Sequence, residues 1–76
     1  MASNLDSQIA KDFGVYIATA RERRGLLQSD VAGNVGISQP YYSNIEKGLK
    51  IVPFPLALKI CKALNITIDE FVGSYM

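Results

Sequence analysis

Glycine stops set behind stretches of helical length constrain this chain more than any other feature. Gly25, Gly36 and Gly48 each follow a run of helix-forming residues, and glycine readily takes the positive φ that ends a helix. In the first run Ile9, Phe13, Ile17 and Ala20 recur every three or four positions, with Lys11, Asp12 and Arg23 off that stripe. No sustained period-two alternation and no Asn-Gly or Asp-Gly hairpin turn is present. The fold class expected is all-α.

The spacing predicts five helices. The first runs from about Ser7 to Arg24, with Gly14 in its middle. A mid-helix glycine costs about 1 kcal/mol relative to alanine, a cost that makes sense where another backbone packs close. Leu26 anchors the turn into a second helix, Gln28 to Val35, whose Val31, Ala32 and Val35 face one way. Gly36 stops it, Ile37 plugs the turn, and Ser38 caps a third helix from Gln39 to about Lys47. Pro40 lies in that helix's first turn, where the missing amide hydrogen is not needed. Pro55 opens a fourth helix through Leu64, with Leu56, Ile60, Ala63 and Leu64 as its buried stripe. "TIDE" reads as a capping box, Thr67 capping a fifth helix and Glu70 reaching back to the Thr67 amide.

With 76 residues, one small domain spanning 1–76, with its core at about 7–74, is the expected organisation. A chain of this size has only one core to which every helix must contribute. No histidine is present, which removes the commonest general base and metal ligand. The single cysteine, Cys61, allows no internal disulfide and sits at helical spacing as a small buried hydrophobe. No metal-ligand pattern, phosphate loop or nucleophile–base set can be assembled, so neither an enzyme nor a cofactor is expected. No apolar run is long enough to span a membrane, and the polar N-terminus lacks signal-peptide order, so a cytoplasmic location is expected. The net charge is only +1. A basic surface on one side is compatible with so small a sum.

The second and third helices are joined by three residues containing a glycine, the connection of a helix-turn-helix unit. On a helical wheel Tyr42, Ile45, Glu46 and Leu49 share one side of the third helix. Pro40, Ser43, Asn44 and Lys47 fall opposite, and Gln39 projects from the N-terminal edge. The outward face thus offers amides, a hydroxyl and a cation but no carboxylate, which would repel phosphate. Asn and Gln suit the major-groove edge of adenine, which presents one acceptor and one donor. Glu46, a carboxylate on the inward side, needs a partner. Arg21, near the end of the first helix, is the expected one.

The run "FGVYIATARERRGLLQSDVAGNVGISQPYYSNIEKG" resembles the XRE-type helix-turn-helix family, which includes the phage repressors and Cro. "RERRGLLQ", "VGIS", "YSNIEKG" and "LKICKALNITIDEF" match its positions in order, so that the resemblance covers about Phe13 to Val72. It implies a compact five-helix, lambda-repressor-like DNA-binding domain that regulates transcription as a homodimer on a palindromic operator. Restriction-modification controller proteins and mobile-element repressors are small members of this kind. The resemblance assigns Gln28 to a backbone phosphate and Gln39, Pro40 and Asn44 to base-reading positions. It assigns Lys47 and Lys50 to phosphate, and Arg21 with Glu46 to an internal salt bridge. No small-molecule ligand or cofactor is implied.

The chain departs from the family pattern in places. Leu27 stands where a Ser or Thr often caps the second helix, and Gly33 weakens that helix further. Pro40 has no hydrogen-bond donor, leaving a thymine methyl as its only base contact. Tyr41 suits a phosphate or thymine-methyl contact, or equally a ring packed along the helix. Phe71, Val72, Tyr75 and Met76 form an apolar end that either makes the dimer interface or closes the monomer's core. Two other functions fit the same fold: an antitoxin-like protein-interaction module, and the DNA-binding piece of a longer regulator.

Overall fold

The computed structural model describes residues 4–75. Five helices follow in order: α1 (Asn4–Arg23), α2 (Gln28–Val35), α3 (Gln39–Glu46), α4 (Phe54–Ala63) and α5 (Ile68–Gly73). No strand occurs among the described residues. The boundaries of α2 are those expected from the sequence. Helix α1 begins before Ser7, and α4 starts one residue earlier than Pro55, which occupies its second position. Gly25, Gly36 and Gly48 have φ of +67°, +80° and +76°, and Asn65 plays the same part after α4 at +57°.

Ser38 caps α3, its Oγ accepting from Tyr41 N–H at 3.2 Å. Thr67 caps α5, its Oγ1 accepting from Glu70 N–H at 3.3 Å. The return bond from the Thr67 amide to Glu70 is not found among the described residues. Helix α2 begins differently. Leucine has no side-chain acceptor, so only the reverse half of a capping box operates, Leu27 N–H donating to Asp30 Oδ2 at 2.8 Å. The helix start left open by Leu27 is therefore fixed from within by Asp30.

The core is built from Phe13 and Ile17 of α1, Val31 and Ala32 of α2, Tyr42 and Ile45 of α3, and Ala57, Ile60 and Cys61 of α4. Leu64 and Phe71 complete it, with Leu26, Ile37 and Leu56 packed at its edge. Helix α3 lies against both α1 and α2, and α2 against α4. Gly14 is where α1 meets the end of α3. A Cβ there would fall on the carbonyl oxygen of Glu46 and lie 2.7 Å from that of Ile45. The glycine is the condition for this helix crossing.

One expectation from the sequence is corrected, and for Phe71 one of two alternatives is excluded. Leu49 is 67% exposed instead of buried beside Tyr42 and Ile45. The helix ends at Glu46, and Gly48 reverses the chain, so the helical wheel does not extend to position 49. Phe71, a candidate for the dimer surface, is buried. Its ring stands edge-on to Phe13 with centroids 5.3 Å apart and packs against Tyr16 at 5.5 Å. Val72 and Tyr75 remain exposed, and Met76 lies outside the described residues.

Candidate nucleic-acid interface

The site is organised around a charge inside the fold. Arg21 and Glu46 make a two-pronged ion pair, with Nε donating to Oε2 at 2.7 Å and Nη2 to Oε1 at 3.0 Å. Their side chains are only 15% and 7% exposed. Arg21 Nη1 also donates to the Leu26 carbonyl at 2.8 Å, tying the pair to the turn before α2. Burial disfavours the Glu46 charge, but hydrogen bonds from Arg21 and Gln28, with Tyr42 beside them, outweigh it and hold its carboxyl below the usual range. Arg21 is raised in turn, chiefly by its bond to Glu46. The buried Tyr42 hydroxyl reaches no partner with standard hydrogen-bond geometry. Burial first, and the Glu46 carboxylate second, suppress its ionisation.

The network continues outward to the surface. Gln28 Nε2 donates to Glu46 Oε1 at 2.9 Å, and Gln39 Nε2 donates to Gln28 Oε1 at 2.8 Å. The first residues of α2 and α3 are thereby locked to each other and to the ion pair. Each primary amide nitrogen has two hydrogens. Among the described residues Gln28 therefore keeps one N–H free, and Gln39 keeps one N–H and its carbonyl oxygen. This amide relay is not visible in the sequence, since it depends on how two helix N-termini meet. The helix-turn-helix connection is the only signal that points toward it.

Ser43 and Asn44 are half-buried on α3, and their side chains make no hydrogen bond among the described residues. Gln39, Pro40 and Lys47 are exposed. Tyr41 packs partly against the core, as the ring-packing alternative had it. Lys50 is exposed in the loop after α3. A further cation, Lys11, joins this region without having been singled out from the sequence. Its backbone and side-chain stem press against Gly48, where a Cβ would lie 2.7 Å from both its Cα and its Cγ. At the start of α2 the Leu27 amide is taken by Asp30, and those of Gln28 and Ser29 have no acceptor among the described residues.

A small all-α domain with a helix-turn-helix, and a recognition helix free of acid on its outward face, defines a class of nucleic-acid-binding proteins. The helix-turn-helix family profile matches residues 17–71. The chain belongs to that family, in its XRE-type group, and is a DNA-binding transcription regulator. Among solved structures it is similar to the clp gene regulator ClgR from Corynebacterium glutamicum, with a TM-score of 0.81 and 23% sequence identity. That likeness covers 84% of this chain and 68% of the other, and it shows a shared fold. No curated protein matches significantly. No helix among the described residues is long and apolar enough to cross a membrane.

Proposed function

We propose that the protein binds a palindromic double-stranded DNA operator as a homodimer, with α3 in the major groove. The observation that carries this reading is the outward face of α3. Ser43 and Asn44 have uncommitted side chains there, Gln39 is held in place at its edge, and no carboxylate intervenes. Gln39 and Asn44 read base edges, each able to present a donor and an acceptor to adenine. Pro40 offers an apolar surface to a thymine methyl, and Tyr41 lies beside it. Lys47, Lys50 and Lys11 meet phosphates, as do the free N–H of Gln28 and the first amides of α2. These contacts set register and orientation and carry no sequence information.

Two copies would place their recognition helices one helical turn apart, about 34 Å. The exposed Val72 and Tyr75 are candidates for joining them. The test is equilibrium binding of Asn44→Ala and Gln39→Ala to an operator selected from a random DNA pool by the wild type, and to random-sequence DNA. A bidentate base contact is worth about 1–3 kcal/mol of discrimination. Specific affinity should therefore fall about 5- to 150-fold, with random-sequence binding nearly unchanged. Equal losses on both DNAs, or no loss on either, would remove the base-reading role.

A further inference from the structure

The chain between α3 and the middle of α4 exposes more apolar surface than the fold requires. Ile51 is 61% and Phe54 63% exposed, and Leu58 is exposed one helical turn after Phe54. Beside them is a mainly apolar cavity of 160 Å³ whose lining includes Ile9, Phe13, Ile51, Ala57 and Phe71, with Asp6 as its charged member. Ile68, also in its lining, leads, one turn further along α5, to the exposed Val72. An exposed apolar patch beside a preformed apolar hollow marks an interaction surface.

We propose that a second copy of this chain docks on this face, with Phe54 of each protomer entering the cavity of the other. This rests on the dimeric reading above and gives it a place. A two-fold interface applies the same patch twice, so its protruding group and its receiving hollow must lie close together near the axis. Phe54 meets that condition, because Ile51 and Ala57, three residues to either side, both line the cavity. The exposed parts of Ile51, Phe54, Leu58 and Val72 offer an apolar centre on the order of 400 Å². That suits the core of an interface burying about 800 Å² per partner.

Position supports the same occupant. Recognition helices about 34 Å apart put the two-fold axis about 17 Å from the middle of each. Ile51 lies five residues beyond the end of α3, so this face is carried by the loop that leaves the recognition helix. The central contact thereby moves from the end of α5 to the start of α4, with Val72 at its margin.

The test is sedimentation equilibrium of the full chain over a concentration series, for the wild type, Phe54→Asp, Phe54→Ala and Val72→Asp, with a thermal melt of each. Phe54 is exposed, so its variants should melt like the wild type at concentrations where the wild type is monomeric. The wild type should show a monomer–dimer equilibrium, and both Phe54 variants should raise the dimer Kd at least about 30-fold, as hot-spot loss does. Val72→Asp should raise it less. A dimer unaffected by either Phe54 variant, or broken only by Val72→Asp, would overturn the location while leaving the dimeric reading intact. A wild type that stays monomeric at every concentration would overturn both and leave the face to some other partner.

Discussion

Arg21 and Glu46 are the residues on which the most depends. Removing one partner leaves the other charge buried without compensation, at about 3–5 kcal/mol. In a domain of this size about 3 kcal/mol corresponds to a fall in Tm of roughly 12–24 °C, so Arg21→Ala should melt far below the wild type in a calorimetric scan. A change of a degree or two would show that the pair is absent or exposed in solution. The pH dependence follows from the direction of the Glu46 shift. Its carboxyl is lower in the folded state than the ordinary value of 4.5, so the unfolded chain takes up the proton first as pH falls. The contribution is complete at neutral pH, begins to decline as pH approaches 4.5, and is lost as pH drops through the folded value. Tm measured against pH should show this acid limb, and Glu46→Gln should flatten it. The Tyr75–Asp12 hydrogen bond shifts its partners the same way, holding the Asp12 carboxyl down and pushing the Tyr75 hydroxyl up to about 12. Both groups are solvated, so this bond has little weight in stability.

Among the elements, two glycines on two helices make opposite predictions. Gly33 of α2 has open space around it. Gly33→Ala should therefore gain most of the ~1 kcal/mol that alanine offers in a helix. Gly14→Ala would gain the same propensity but drive a methyl into the backbone of α3, for a net loss of about 1–3 kcal/mol. Chemical denaturation of both variants checks the pair, and a stabilised Gly14→Ala would contradict the described crossing. Helix limits were readable where the signal is local. The Ser38 and Thr67 caps and the glycine stops are written within a few residues of the turns they make. Leu49 could not be read that way, because its direction depends on where the helix stops, and the wheel has no knowledge of an end. Phe71 was ambiguous for a related reason. An apolar residue near a terminus looks the same whether it meets its own core or another molecule, and only the rings of Phe13 and Tyr16 decide between them.

For the whole molecule, the few cations beside the α3 face, Lys11, Lys47 and Lys50, set how binding responds to salt. Each phosphate neutralised contributes about −0.9 to the slope of log K against log salt. The slope should be shallow for a DNA-binding dimer, and Lys47→Ala should reduce its magnitude by roughly 2 per dimer. The composition of the α3 face was legible from the sequence. So was the Arg21–Glu46 pair, but its extension through Gln28 to Gln39 was not, nor was the approach of Lys11 to Gly48. Both join residues far apart in the chain, at distances that only the packed helices set. Operator binding by a homodimer stands or falls on selection of bound fragments from a random DNA pool by the wild-type protein. It predicts enrichment of a palindrome whose half-site centres lie about 10 base pairs apart. Fragments retained with no common sequence, or none retained at all, would contradict it.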